Sequence, residues 1–133
     1  MTFAEAIKNN FSKYATFSGR APRSEFWWWA LFTFIANLIL GGIDIAVFGT
    51  ATFGPGSFEA HTNFSPLAGI FSLAVLLPSI SVAVRRLHDT DRSGWWWWLA
   101  LIPLVGIIIL IVWWATVGTR GPNRYGEDPL GAP

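Results

Sequence analysis

The centre of the chain changes abruptly from charged to aromatic residues in the segment Arg85-Arg86-Leu87-His88-Asp89-Thr90-Asp91-Arg92-Ser93-Gly94-Trp95-Trp96-Trp97-Trp98. Uncharged segments flank it, from Pro66 to Val84 on one side and from Trp95 to Val117 on the other. A short polar loop between two long apolar segments is typical of a chain that crosses a membrane more than once. This stretch therefore decides the predicted fold class and location.

The overall composition also indicates a membrane protein. Hydrophobic residues make up 53% of the 133 residues and charged residues 13%, whereas charged residues are about 25% of an ordinary soluble protein. The chain has nine tryptophans, and tryptophan is enriched where the hydrocarbon core of a bilayer meets the headgroups. It has no cysteine, which excludes a disulfide framework, a thiolate metal site and a thiol nucleophile.

The first residues predict a short amphipathic helix. Phe3, Ile7, Phe11 and Tyr14 recur at spacings of four, four and three residues, so they form one stripe on a helix over residues 2–14. We expect this helix to lie on the membrane surface. A helix that packs the same stripe on the protein is the alternative, and the two interpretations do not exclude each other.

Three apolar segments are predicted to cross the membrane, over residues 26–48, 66–84 and 95–117. A helix over residues 26–48 would be roughly 34 Å long, enough to cross a hydrocarbon core of about 30 Å. The predicted fold class is thus all-α: an integral membrane protein forming a single membrane domain, with three transmembrane helices preceded by the amphipathic helix.

The segment 95–117 has a second interpretation. Tryptophans stand at both of its ends, as expected for one crossing with a belt at each interface. It could instead form a re-entrant hairpin that turns at Pro103 and Gly106. Each arm of such a hairpin would be far shorter than the ~20 residues that a span requires. The side of the C-terminus depends on which interpretation is correct.

Positive residues predict the orientation, because they are retained on the cytoplasmic side. The segment Gly49–Ser65 contains turn-forming residues and no Lys or Arg, so it is predicted to be external. The positive residues of the N-terminal flank and the central loop are Lys8, Lys13, Arg20, Arg23, Arg85, Arg86 and Arg92. We therefore expect a multi-pass protein whose N-terminus and central loop are cytoplasmic.

Three sequence blocks resemble those of a family of small bacterial inner-membrane proteins, catalogued as domain of unknown function 805. The central block is Arg85-Arg86-Leu87-His88-Asp89 with Arg92-Ser93-Gly94-Trp95-Trp96, and the N-terminal block is Gly19-Arg20-Ala21-Pro22-Arg23-Ser24-Glu25-Phe26-Trp27. The C-terminal block comprises Gly118-Thr119, Gly121, Asn123-Arg124-Tyr125-Gly126 and Asp128-Pro129. Pro22 departs mildly from the family pattern. The resemblance implies a location in the bacterial inner membrane and no known activity.

The polar blocks carry the candidate interaction residues: Arg20, Arg23, Glu25, Arg85, Arg86, His88, Asp89 and Arg92. Arginines beside the membrane can bind anionic lipid headgroups, each contributing about 1 kcal/mol, or they can serve only to set the topology. We expect Glu25 and Asp89 to accept hydrogen bonds or ion pairs from arginines or from the opposing block's backbone, with His88 nearby.

Catalytic and metal-binding roles are weighed for His88 and Asp89, because an imidazole and a carboxylate are common partners in both kinds of site. One histidine and one aspartate supply too few ligands for an ordinary metal site. The favoured interpretation is a loop held by its own charges. No catalytic, cofactor or metal residue is predicted, and the protein is not expected to be an enzyme.

Asp44 is the one ionisable residue inside a predicted span. A carboxylate at the bilayer centre would cost roughly 2.5–3.5 kcal/mol and would indicate an ion path. Asp44 stands near the outer end of its segment, however, which favours an interfacial carboxylate.

The leading functional hypothesis is an interaction or accessory subunit with a charged cytoplasmic surface. The alternative is a component of a transporter or channel, which would require an oligomer. The expected partners are the bilayer with its anionic headgroups and either a second copy or another membrane protein. No cofactor or nucleic acid is expected.

Overall fold

The computed structural model describes residues 2–62 and 64–130. The elements in chain order are α1 (Phe3–Ser12), α2 (Arg23–Phe48), β1 (Thr50–Gly54), β2 (Ser57–His61), α3 (Pro66–Asp89), a 3-10 helix (Gly94–Leu101) and α4 (Val105–Ala115). They belong to two compact units. Leu31–Leu76 forms one unit, and the described residues before and after it form the other, which we call the terminal unit.

Helix α1 confirms the predicted N-terminal helix. The Thr2 hydroxyl accepts a hydrogen bond from the Glu5 backbone N–H, which satisfies one of the free donors at the helix start. The apolar stripe packs on α2: Phe3 meets Trp28 edge-on with ring centroids 5.6 Å apart, and Phe11 meets Trp29 at 5.2 Å. The alternative in which the stripe packs on protein is therefore present in the structure.

The first two predicted spans lie inside α2 and α3. With 26 and 24 residues, both helices are long and apolar enough, by length and composition, to cross a membrane. Only 6% of the most apolar window of α2, and 28% of that of α3, is buried within the protein. So much uncovered apolar surface is stable in hydrocarbon and not in water.

The unit Leu31–Leu76 departs from the predicted all-α class. Residues 50–61 form an antiparallel hairpin in which Thr50 pairs with His61 and Gly54 with Ser57. Gly56 supplies the positive φ of 74° in the turn, a conformation that glycine adopts without steric cost. The loop predicted here thus contains two short strands.

The prediction of one continuous helix over residues 95–117 is wrong. The 3-10 helix ends at Leu101, and the chain reverses through Leu104, whose φ is 65°. Trp96 of the first arm then meets Trp113 of the second with ring centroids 5.7 Å apart. The structure therefore has the hairpin that was the alternative interpretation of this segment.

Local chemistry explains why this hairpin closes. Pro103 cannot donate a backbone hydrogen bond and constrains the residue before it, so it interrupts a helix. A Cβ atom at Gly106 would lie only 1.8 Å from the Leu99 carbonyl oxygen. Only glycine lets α4 pass this close to the 3-10 helix.

Candidate functional site: a buried arginine cluster

The terminal unit contains a buried group of charged side chains, here called the arginine cluster. Its members are Arg20, Glu25, Arg85, Arg86 and Asp89. None exposes more than 6% of its surface, and Arg85 and Arg86 expose none. Since burying an isolated charge is very costly, each of these groups requires partners inside the protein.

Arg85 and Glu25 form the first ion pair of the cluster, with Nη1 and Oε1 2.8 Å apart. Helix α1 completes it through two asparagines. Asn9 donates to Glu25 Oε1 at 2.8 Å, and Asn10 Oδ1 accepts from Arg85 Nη2 at 3.2 Å. This pair therefore joins α1, the start of α2 and the end of α3.

Asp89 is the second anion of the cluster and serves two arginines. Its Oδ1 accepts from Arg20 Nε at 2.9 Å, and its Oδ2 pairs with Arg86 Nη1. Its backbone carbonyl accepts from the Thr119 N–H at 2.7 Å. Asp89 therefore links the N-terminal block, the end of α3 and the C-terminal tail.

Arginines also bind the free carbonyl groups at the end of α4. Arg86 Nε donates to the Trp114 oxygen at 2.8 Å, and Arg86 Nη2 donates to Thr116. Arg23 Nη1 donates to the Ala115 oxygen at 3.3 Å. The last carbonyls of a helix lack partners within the helix and form its negative end, so cations stabilise them. These bonds hold the returning arm of the hairpin at the cluster.

The C-terminal tail supplies further acceptors for Arg20. Its guanidinium donates to the carbonyl oxygens of Gly121 at 2.7 Å and Gly126 at 3.3 Å, and also to that of Thr119. A Cβ atom at Gly118 would lie 1.9 Å from Asp89 Oδ2, so only glycine permits this close approach. The tail is thus an integral part of the cluster.

Asp128 fixes the end of the tail. Its carboxylate accepts from the backbone N–H groups of Leu130 and Gly121, each at 2.9 Å. These two hydrogen bonds favour the ionised form and lower the pKa of Asp128 below its usual value.

His88 lies beside the cluster and pairs with no carboxylate of the described residues. Its Nδ1 is 2.9 Å from the Gly19 carbonyl oxygen, and its ring stacks on Tyr125 with centroids 4.0 Å apart and an interplanar angle of 2°. His88 and Asp89 therefore face different partners and do not form an acid/base pair. Among residues 2–62 and 64–130, no group of three or more His, Cys, Asp or Glu is arranged to hold a metal ion.

The predicted pairing of Glu25 and Asp89 with arginines is confirmed. Arg20, Arg85 and Arg86 are buried and donate to protein acceptors, and the binding of lipid headgroups to them stays a prediction. A lipid phosphate would have to replace these bonds.

Two other predicted members of the site lie at its edge. Arg23 is exposed, and Arg92 lies over the Trp113 ring, 4.4 Å from its centroid, rather than within the cluster. The contribution of the tail was not predicted from the sequence. Its only signal there is the glycine-rich C-terminal block.

Asp44 has a structural partner in the unit Leu31–Leu76. It is fully buried, and its two carboxylate oxygens accept from the N–H groups of Leu67 at 3.1 Å and Ala68 at 2.9 Å. These donors belong to the first turn of α3, where backbone N–H groups lack partners within the helix. Capping of α3 therefore accounts for this carboxylate without an ion path.

These features define a class of protein: an integral membrane protein with long apolar helices, whose polar blocks fold around buried arginines. The chain belongs to the family described as "Protein of unknown function (DUF805)", whose model matches residues 14–127. This match confirms the family resemblance.

Relatives from Escherichia coli support the same location. The chain is 39% identical over 127 residues to inner membrane protein YhaI of strain K12, covering 96% of this chain and 93% of the relative. It is also 39% identical to inner membrane protein YhaH, with 96% and 94% covered, and 31% identical to the uncharacterized protein YiiR, with 85% of each covered. No solved structure matches it significantly. The protein is thus an inner-membrane protein of this family.

Proposed function

We propose that this protein is an interaction or accessory subunit of the inner membrane, with the outer surface of the terminal unit as its working surface. The arginine cluster is the observation that carries this proposal. Its charged side chains pair with groups of the same chain and join three separate polar blocks. Such a network rigidifies a surface and offers no free nucleophile or base for a reaction.

The proposed topology has α2 and α3 crossing the membrane, while the hairpin of residues 94–115 enters and leaves on one side. All nine Lys and Arg residues lie outside Leu31–Leu76. With the tail on the same side as the N-terminus, every positive residue is cytoplasmic, as the distribution of charge in inner-membrane proteins favours. A third crossing would instead place Arg120 and Arg124 outside.

Single cysteines test this topology, because the chain has no native cysteine. The positions are Ser18, Ser57 and Glu127, all of which are exposed. In intact spheroplasts, a membrane-impermeant maleimide should label Ser57→Cys alone, and all three should react after permeabilisation. Labelling of Glu127→Cys before permeabilisation would refute the re-entrant hairpin.

Photo-crosslinking in native membranes tests the interaction role. A photoreactive residue is placed at Lys8 or Arg120, both exposed in the terminal unit, with Glu59 in the β-hairpin as the matched control. We expect a discrete crosslinked protein from the first two positions and none from Glu59. If no crosslinked product forms at any of the three positions, the proposed subunit role is contradicted.

A further inference from the structure

A cavity of about 550 Å³ lies within the terminal unit, a volume within the usual range of small-molecule sites. Its apolar walls include Phe17, Ile80 and Val84, and the 3-10 helix contributes Trp95, Trp97 and Trp98. His88 is the only titratable residue among its nine lining residues. The lining therefore suits an apolar molecule and provides no charge for an anionic headgroup.

His88 presents a specific hydrogen-bonding group at this cavity. Its Nδ1 faces the Gly19 carbonyl oxygen, which can only accept, so Nδ1 carries the proton. Nε2 has no hydrogen-bond partner among residues 2–62 and 64–130, although His88 is 92% buried, with 8% of its surface exposed. A second N–H here would be unpaired against apolar walls, so the neutral ring with a lone pair on Nε2 is favoured.

Gly94 keeps the space beside this nitrogen open. A Cβ atom at position 94 would lie 3.5 Å from His88 Nε2 and 2.6 Å from Val84 Cγ1. Any side chain would therefore both collide with α3 and occupy the approach to Nε2. The missing side chain at Gly94 leaves space next to His88 Nε2, which is the acceptor without a partner. A bound molecule in this space would contact Nε2.

We propose that this cavity binds a neutral, membrane-soluble molecule that donates one hydroxyl group to His88 Nε2. The tryptophan and aliphatic walls would hold its apolar body, and the imidazole would recognise the hydroxyl. Diacylglycerols and quinols both have this chemistry. The inference requires only the membrane location and not the interaction role.

Paired ligands test the proposal on the full-length chain in phosphatidylcholine nanodiscs, with tryptophan fluorescence as the readout. The first pair is 1,2-dioctanoylglycerol and its O-methyl ether, and the second is decylubiquinol and its di-O-methyl ether. Within at least one pair, the hydroxyl compound should bind about 5- to 10-fold more tightly, since one hydrogen bond is worth about that factor. The pair whose hydroxyl compound binds more tightly shows whether the hydroxyl group belongs to a diacylglycerol or to a quinol.

Two variants test whether the ligand binds beside His88 and Gly94. His88→Asn keeps an amide donor near the position of Nδ1 but ends before Nε2, so it should abolish the preference for the hydroxyl compound. Gly94→Ala should weaken both members of a pair, whereas Gly69→Ala, where an added Cβ meets no atom within 4 Å, should change neither. Equal affinities within both pairs, no saturable binding, or an unchanged preference in His88→Asn would each overturn the proposal.

Discussion

At the scale of single residues, Asp89 shows how buried charged groups are stabilised in this protein. One carboxylate serves Arg20 and Arg86, and these arginines use carbonyl oxygens for their remaining donors. The cluster holds three arginines against two carboxylates, and backbone carbonyl groups offset the excess positive charge. Helix ends and glycine-rich turns are suitable sources of such groups, because their carbonyls are free.

The variant Asp89→Ala should lower the melting temperature in detergent strongly. It leaves two buried guanidinium groups without their anion, a change that costs about 3–5 kcal/mol. The matched control is Glu59→Ala in the exposed strand β2, where about 0.5 kcal/mol or less is expected. Equal melting temperatures for the two variants would show that the cluster does not stabilise the fold.

Asp44→Asn separates capping from ion conduction. The amide retains one acceptor oxygen for Leu67 or Ala68, so we expect a loss of about 1 kcal/mol or less, measured as a small decrease in melting temperature. Proton and cation flux in proteoliposomes should be the same for variant and wild type. A wild-type flux that disappears in Asp44→Asn would instead support the transporter alternative.

Residue chemistry could be predicted from the sequence only in part. An excess of arginines over carboxylates near the membrane made pairing of Glu25 and Asp89 predictable. Which arginine meets which acid could not be predicted, because that depends on how three chain segments meet. The burial of Arg85 and Arg86 could not be predicted for the same reason, since local sequence does not reveal which charged residues lie inside a cluster.

At the scale of elements, apolar length identified α2 and α3 but misidentified residues 95–117. Paired tryptophan belts are compatible with one crossing and equally with two arms that end at one interface. The deciding features are local and three-dimensional: the positive φ of Leu104, the close approach at Gly106 and the capping of α4 by Arg86. Periodicity and hydropathy carry none of this information.

Gly106→Ala tests whether the hairpin depends on that close approach. The new Cβ atom would collide with the Leu99 carbonyl, so we expect a loss of roughly 1–3 kcal/mol, seen as a lower melting temperature and faster proteolysis of the tail. Gly42→Ala is the control, because an added Cβ there meets no atom within 4 Å. An unchanged Gly106→Ala protein would mean that α4 does not lie against the 3-10 helix.

At the scale of the whole molecule, the tail distinguishes the two topologies. A third crossing would carry residues 118–130 to the side of the membrane opposite the N-terminal block. In the structure, the same residues supply three carbonyl acceptors to Arg20 and the Thr119 N–H to Asp89. One chain cannot adopt both arrangements. The contribution of the tail to stability therefore distinguishes the third crossing from the hairpin.

Ending the chain after Val117 should therefore destabilise the protein markedly. Each buried donor of Arg20 that loses its acceptor costs about 1–3 kcal/mol, so the melting temperature should fall well below that of a chain ended after Leu130, which retains these contacts. Arg20→Ala should remove part of the difference between the two lengths, because three carbonyl groups of the tail bind that side chain. Identical melting temperatures for both lengths would place the tail outside the fold and restore the three-span topology.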